Sequence, residues 1–363
     1  MSTNRWDVLP DFPWDLLAPY ADRARQHPQG AIDLSVGTPV DPTPAIVTTA
    51  LAESANAPGY PTTAGIPELT STIDQWAQQV LHAPAGLGVL PTIGSKEIIA
   101  ALPTLLGLGR GDTIAIPEIA YPTYAVGVIA AGAEVIATDT PEEIGQSVSL
   151  VWVNSPSNPT GAVLGSDRLR EIVEWARSTG TLVFSDECYF ELGWDAQPVS
   201  ILDRTVNGGD LTGLISVHSL SKRSNMAGYR FGFLAGDPSL VNRLLGIRKH
   251  LGMMVPTFVQ RAAIAAYSDS QHVQEQRARY ASRRATLRQA LTDFGFEIHH
   301  SQAGLYLWAT RGENCWDSVK RFAERGIVVT PGEFYGEKGA QFVRVALTAT
   351  DSQVAEASRR ICP

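Results

Sequence analysis

A mostly parallel α/β sheet domain joined to a smaller α+β domain is what this 363-residue sequence predicts. Three observations carry the expectation. A chain of this length exceeds what a single hydrophobic core usually organises, so two units are expected. From about residue 87 short apolar runs rich in β-branched residues alternate with helical stretches. After about residue 250 the texture changes to long polar helices followed by a cluster of short strands.

The opening stretch MSTNRWDVLPDFPWDLLAP is interrupted by Asp7, Pro10, Asp11, Pro13 and Asp15, and no apolar segment with a small-residue cleavage site is visible in it. GTPVDPTP, with Pro39, Pro42 and Pro44, reads as extended chain suited to crossing between domains. Seven apolar runs then follow: LGVLPTI, DTIAIP, EVIA, SLVWVN, TLVFSDE, LISVHS and FGFLAG. Helical patterns at 95–106, 121–131 and 166–178 separate several of them. Runs without strict alternation are what strands buried on both faces look like, which predicts a seven-stranded, mostly parallel sheet. GRGD at 109–112 marks a helix-to-strand turn, and Gly180 stands where a helix C-terminal cap is expected. Beyond residue 250, helices at 258–269 and 271–294 lead to GFEIHH, GLYLWAT, GIVVT and FVRVALT, and then to a last helix that Asp351 is placed to cap. We expect a large domain over 46–250 and a small domain over 1–45 and 251–363.

Composition narrows the function. Hydrophobic residues are 44% and charged residues 18% of the chain, the balance of a soluble globular protein. The most apolar segment, 98–109, is about a dozen residues long and contains Pro103, short of the roughly 20 a membrane span needs. Net charge is −8, with no block of lysines or arginines, so neither a membrane nor a nucleic-acid partner is expected. Cys188, Cys315 and Cys362 lie far apart and never in C-x-x-C spacing. That predicts no metal cluster and no disulfide framework, and it suits a reducing cytoplasm.

Chemistry-bearing residues fall at the ends of the predicted strands, where ligands bind in open α/β sheets. Gly94 before Ser95 and Lys96 opens a helix whose free amides suit a phosphate. Asn158 lies in NSPSNPTG; Asp186 and Tyr189 lie in DECY; Ser219, Ser221, Lys222 and Arg230 lie in SLSKRSNMAGYRFG. Two chemistries compete for this last stretch. Ser219 and Lys222 have the S-x-x-K spacing of a serine nucleophile with a lysine base, but that reading needs a later K-T-G element, which the chain lacks. Alternatively, Lys222 is an imine-forming lysine beside a phosphate cup made by Ser219, Ser221 and Arg230. A lysine and a phosphate site at opposite ends of one ring point to pyridoxal 5′-phosphate. Asp186 is then placed to face the ring nitrogen, Asn158 and Tyr189 its phenolate oxygen, and Tyr121 its face.

These motifs resemble the class I and II pyridoxal-phosphate aminotransferases of fold type I. The family pattern S-x-S-K followed by G-x-R-x-G stands here as Ser219 to Lys222 and Gly228 to Gly232, N-P-x-G as Asn158 to Gly161, and D-x-x-Y as Asp186 to Tyr189. The resemblance implies that Lys222 is the covalent anchor and proton carrier, with Asp186 and Tyr189 beside it in the catalytic set. It implies a cofactor site of Gly94, Ser95, Lys96, Tyr121, Asn158, Asp186, Tyr189, Ser219, Ser221, Lys222 and Arg230, with Tyr60 reaching the phosphate of a neighbouring subunit. Gly37, Asn158 and Arg344 would hold the substrate α-carboxylate, and a homodimer with shared active sites and small amino-acid and keto-acid substrates follows. R-S-N-M after Lys222 departs from the small-then-aromatic pair common in the family. With LPDFPWDLLAP and GYPTTAGIPEL, it is similar to the actinobacterial N-succinyldiaminopimelate aminotransferases of lysine biosynthesis. That implies ping-pong transfer from glutamate, with Lys96 and Arg223 as candidate cations for a distal carboxylate. The alternatives on the same scaffold are an aminotransferase for aspartate, aromatic amino acids or LL-diaminopimelate, and a C–S β-lyase.

Overall fold

A computed structural model describes residues 9–145 and 147–362. Its central sheet comprises β2 (Gly88–Ile93), β3 (Thr113–Ile116), β4 (Glu134–Ala137), β5 (Leu150–Asn154), β6 (Leu182–Asp186), β7 (Leu214–Ser219) and β8 (Phe231–Gly236). They lie in the order β2-β8-β7-β6-β5-β3-β4. Only β8 runs against the others, pairing antiparallel with both β7 and β2. The expected seven-stranded, mostly parallel sheet is therefore present.

The unbroken apolar runs have a simple cause. Along β5, Leu150 and Trp152 face a core shared with Tyr124, Phe184 and Leu234, while Val151 and Val153 face a second core with Val183, Phe233 and Trp76. Strand side chains alternate between faces, so a strand covered on both must be apolar at every position. The edge strand β4 departs from this rule: Glu134 and Ala137 are exposed, and a charged residue there discourages pairing with another chain.

The smaller part is built on a four-stranded antiparallel sheet of β9 (Glu297–His299), β10 (Tyr306–Thr310), β12 (Thr330–Pro331) and β13 (Phe342–Ala346), in the order β12-β13-β10-β9. The two-residue strands β1 (Ile32–Asp33) and β11 (Ile327–Val328) pair in parallel. The core here takes Leu17, Ile32 and Leu34 from the start of the chain and residues from Tyr280 onward from its end. The helix Thr257–Ser268 turns Val259, Ala262, Ala263 and Ala266 into the core of the large sheet instead. The last helix, Asp351–Ile361, is capped by Thr350 rather than Asp351: Thr350 Oγ1 accepts from the Gln353 amide, and Gln353 Oε1 accepts from the Thr350 amide. Asp351 has another partner, accepting from Arg283 Nε at 2.6 Å.

The Pro-rich segment does run along the junction between the two parts. Leu34 O accepts from the Ala346 amide and Val36 O from Thr348 Oγ1. Asp41 takes a two-pronged contact from Arg283 at 2.7 Å on each oxygen. Pro42 O accepts from Asn225 Nδ2, and Thr43 Oγ1 donates to Asn225 O. The large part has a tie of its own, between Arg248 and Glu97. Arg248, with no exposed side-chain surface, donates to both Glu97 oxygens at 2.6 and 3.0 Å. Glu97 Oε2 also accepts from the Ile93 amide at 3.1 Å. The helix following β8 is thereby fastened to the first turn after β2. Removing one partner of a buried ion pair strands the other, so Arg248→Met should cost about 3 kcal/mol of stability. Guanidinium unfolding reads this as a lower midpoint, and an unchanged midpoint would show that the pair contributes nothing.

Candidate active site

Polar side chains converge at the C-terminal ends of β5, β6 and β7. Asn154 and Asp186 are register partners on β5 and β6. Asn154 Nδ2 donates to the carbonyls of Asp186 and Pro156 at 3.0 and 3.1 Å, and its Oδ1 accepts from the Asn158 amide at 2.8 Å. One buried amide thus shapes the loop that carries Asn158. Asp186 is itself buried. Tyr124 Oη donates to its Oδ2 at 2.8 Å and the Cys188 amide to its Oδ1 at 3.1 Å. Burial pushes its pKa above the usual carboxylate range against the pull of the Cys188 thiol, Tyr124 and the Cys188 amide. Among the described residues it has no ion-pair partner, so it fits a cationic ligand nitrogen.

The next strand end supplies the lysine. Ser219 caps the short helix Leu220–Arg223, its Oγ accepting from the Ser221 amide at 3.1 Å. Lys222 follows, and its Nζ donates to the Gly37 carbonyl of the crossing segment. Burial lowers the Lys222 pKa, and the nearby charges of Arg344 and Arg230 act in the same direction. A larger neutral fraction is what an amine nucleophile or base requires.

An anion site lies beside it. Gly94 has φ +72, and a Cβ there would fall 2.3 Å from Arg230 Nη2. Only glycine combines that backbone conformation with so close a guanidinium. Ser95 begins the helix Ser95–Leu105 directly behind the turn, so its first amides face the same place. A Cβ on Gly232 would lie 2.9 Å from the Ser95 amide nitrogen, which sets β8 hard against the helix start. Arg230 is exposed and donates to Ala227 O at 2.8 Å. Ser219 Oγ and Ser221 Oγ lie 2.9 Å apart on the neighbouring turn.

Opposite this wall stands Arg344, only 3% exposed. Its Nη1 donates to Asn158 Oδ1 at 2.9 Å and its Nη2 to Ser35 O at 2.6 Å. Its Cζ lies 3.9 Å from the centre of the Tyr306 ring and 5.0 Å from that of Tyr335. Nε has no hydrogen-bond partner, and among the described residues no carboxylate pairs with this guanidinium. A charge this deeply buried calls for a counter-ion. Tyr189 and Tyr306 meet through their hydroxyls at 3.2 Å. Tyr121 is half-buried, its ring 5.9 Å from Tyr124.

Three residues singled out in the sequence lie elsewhere. Tyr60 is 98% exposed. Lys96 points away to an exposed position where its Nζ lies 5.8 Å from the centre of the Phe12 ring. Arg223 is neither solvated nor free: its Nε lies 2.5 Å from Glu191 Oε2, and its guanidinium stacks 4.6 Å from the Tyr267 ring. Ser224 and Asn225 bind His272 and Gln276 at 2.8 and 3.0 Å. The R-S-N triplet therefore joins the lysine segment to the helix Gln271–Asp293 and to the crossing segment. Tyr124, Asn154, Tyr306 and the Ser35 carbonyl are site groups that sequence reasoning missed. Tyr124 stood in view as the second tyrosine of YPTY, and Tyr306 in GLYLWAT, but neither stretch has a periodicity that tells which way a side chain faces.

The donor set is thus complete for a phosphorylated pyridine aldehyde: a turn of free amides with an arginine, an unpaired buried carboxylate, a lysine of raised neutral fraction, and a guanidinium awaiting a carboxylate. Comparison with known proteins agrees. The family model "Aminotransferase class I and II" matches residues 29–361. The probable aminotransferase Rv1178 of Mycobacterium tuberculosis is 56% identical over 97% of this chain and 85% of its own. The 4-dedimethylamino-4-oxo-anhydrotetracycline transaminase OxyQ of Streptomyces rimosus is 53% identical over 97% of this chain and 99% of its own. Among solved structures, a probable N-succinyldiaminopimelate aminotransferase from Thermus thermophilus superposes with a TM-score of 0.86 at 26% identity, covering 96% of this chain and 99% of its own.

The anion site can be tested without any reaction. Inorganic phosphate should raise the melting temperature of the cofactor-free protein, by the equivalent of about 2.7 kcal/mol at a hundredfold excess over Kd. Arg230→Ala should abolish that rise, and so should Gly94→Ala, whose Cβ would displace the guanidinium. A phosphate response that survives both substitutions would place the anion elsewhere.

Proposed function

The chain belongs to the class I and II aminotransferases, enzymes dependent on pyridoxal 5′-phosphate, and from that premise we propose roles and substrates for its site. The observation that carries the proposal is Arg344, a buried guanidinium with an unpartnered Nε and, among the described residues, no carboxylate partner. A planar fork of this kind pairs with a carboxylate through two parallel hydrogen bonds. It is assigned the α-carboxylate of the amino donor and of the keto acceptor in turn, with Gly37 and Asn158 alongside.

When bound, the cofactor supplies a carbonyl that takes up the amino group and a ring that withdraws electrons from the substrate Cα. This chain does the rest. Asp186, oriented by Tyr124 and the Cys188 amide, offers a carboxylate to the ring nitrogen. Asn158 and Tyr189 offer donors to the ring oxygen, and Tyr121 covers the ring face. The Gly94–Lys96 amides, Ser95, Ser219, Ser221 and Arg230 hold the phosphate. Lys222 Nζ anchors the cofactor and, once displaced, carries a proton to and from the substrate Cα. Its buried setting and the cations around it support that second task.

For the substrates, we read glutamate as amino donor and N-succinyl-2-amino-6-oxopimelate as acceptor. The likeness to the Thermus protein supports this reading. Arg223 is committed to Glu191 and the Lys96 ammonium lies out beside Phe12, so neither candidate cation is assigned the distal carboxylate. One observation favours a second reading. Phe12 stacks on Trp14, which in turn packs against Phe334 and Tyr335 beside Arg344. Such an aromatic wall suits a planar ketone, the kind of acceptor named for the Streptomyces relative. A half-reaction screen separates the two. The protein is charged with glutamate, and keto compounds are tested for restoring the visible absorbance of the original form. The succinylated oxopimelate should do so, and its failure alongside success with a polycyclic ketone would establish the second reading. In the same assay Lys222→Ala should abolish transfer. Arg344→Lys should raise KM for donor and acceptor by about tenfold or more; unchanged KM values would remove Arg344 from the carboxylate site.

A homodimer with shared sites belongs to the same proposal, supported by Tyr60, which stands almost wholly in solvent. A cytoplasmic location is supported by three cysteines that are all free. Tyr60→Phe should release cofactor about tenfold faster on dilution, and sedimentation should show a dimer. A monomer with full activity would refute the shared site.

A further inference from the structure

Tyr306, at the start of β10, lies among Arg344, Tyr189, Gly37 and Lys222, groups assigned to substrate and proton chemistry. Its ring face lies under the Arg344 guanidinium, the ring centre 3.9 Å from Cζ. Its hydroxyl is 3.2 Å from that of Tyr189. A Cβ on Gly37 would come within 2.1 Å of Tyr306 Oη, so the phenol rests directly on the residue whose carbonyl accepts from Lys222 Nζ. The side chain is 4% exposed. It therefore cannot turn away without opening a hole beside all four.

We propose that Tyr306 is a positioning residue that couples the carboxylate-binding arginine to the lysine amine, its ring fixing the plane of Arg344 and its hydroxyl fixing the Tyr189 proton and the Gly37 floor under Lys222. The proposal rests on the roles given above to Arg344 and Lys222. Two physical arguments carry it. An arginine held by only two hydrogen bonds can still rotate its fork; a ring face at this distance removes that freedom and adds a cation–π attraction. A phenol carries one proton and accepts as well; here Tyr189 donates and Tyr306 accepts, the direction in which the Tyr306 pKa is lowered and that of Tyr189 raised, so Tyr306 holds the Tyr189 proton in place.

The groups facing Tyr306 are Tyr189 after β6, Arg344 on β13 and Lys222 after β7, with Tyr121, Tyr280 and Tyr335 further out. Those facing Lys222 are Tyr306, Arg344, Cys188 and Arg230. Burial would push the Tyr306 pKa up, but Arg344, Lys222 and the Tyr189 hydroxyl bring it below the usual phenol value, while burial and Tyr306 push that of Tyr189 up. By the same coupling Tyr306 favours the charged form of Lys222, against the effect of burial. Removing the Tyr306 hydroxyl should therefore make the amine more acidic.

The experiment compares Tyr306→Phe with Tyr306→Leu. In protein freed of cofactor, Lys222 is labelled with acetic anhydride across a range of pH and read by mass spectrometry. Both variants should show the labelling midpoint shifted to lower pH, so that Lys222 reacts about threefold faster near neutrality, the equivalent of about half a pKa unit. In steady state Tyr306→Phe keeps the ring, so KM for the amino donor should stay within about twofold while kcat falls about tenfold; Tyr306→Leu should in addition raise KM about tenfold. If the Phe labelling curve coincides with that of the unsubstituted protein, or if the two variants share one KM, the coupling is refuted. Should Tyr306→Leu fail to fold by circular dichroism, the labelling of Tyr306→Phe decides alone. Labelling uses neither substrate nor cofactor, so its failure is distinct from failure of the aminotransferase assignments, which the Arg344→Lys kinetics test.

Discussion

A guanidinium buried without a carboxylate is the constraint on which the arrangement of this protein depends. Taking a charge out of water costs several kcal/mol unless its donors find acceptors. Arg344 finds them on two segments far from its own strand: Asn158 on the loop after β5 and the Ser35 carbonyl on the crossing segment. The aromatic faces of Tyr306 and Tyr335 fill the remaining contacts. The large sheet, the small sheet and the chain between them thus meet on one side chain. None of the three satisfies it fully: Nε is left without a partner, and that leftover donor is the ground for the proposed carboxylate site.

The same junction is held by a second network, one of paired charges, at a distance from the chemistry. Arg283 joins Asp41 to Asp351, Gln276 joins Asp41 to Asn225, and Asn225 carries the crossing segment back to the turn behind Lys222. Charges here have partners, and Arg283 together with hydrogen bonds from its own side chain and that of Gln276 overcomes the effect of burial to hold the Asp41 carboxyl below its usual range. The contrast separates the two tasks. Paired charges fix the crossing segment, and unpaired ones, Arg344 and Asp186, stand where a ligand of opposite charge completes them.

Much of this was legible in the sequence, for reasons specific to the residues. Seven apolar runs became seven strands because both faces of the sheet are covered, so every position in them reports burial. Gly94, Asp186, Ser219 and Lys222 could be placed because they end those runs, and a strand end fixes where a residue lies without any knowledge of packing. Other features depend on contacts across long stretches of chain. Tyr306 is more than a hundred residues from Tyr189, and nothing in GLYLWAT says that its tyrosine meets Tyr189 while its tryptophan packs on Phe342. Arg223 was read as a possible substrate cation from its nearness to Lys222, yet Glu191 and Tyr267 were already its partners. Asp351 resembled a cap, but Thr350 and Gln353 form the reciprocal pair and Arg283 takes the aspartate.

A net charge of −8 raises a difficulty for any enzyme whose substrates are carboxylates, and the proposed site offers a way to meet it. The general field repels such substrates, and salt screens it over about 8–10 Å. Inside the site the balance is reversed over shorter distances: Arg344, Lys222 and Arg230 line the cleft, and Asp186 is turned into the sheet against Tyr124. Because Arg344 is buried and Lys222 is largely so, their attraction for a carboxylate is stronger than that of surface charges. On the proposed roles, attraction for anions comes from the few residues at the strand ends and not from the general field. It also follows that the α-carboxylate contact cannot by itself distinguish one amino acid from another. That choice must lie in the groups around the Phe12, Trp14 and Tyr335 wall, where the chain presents ring faces with a single lysine at the edge.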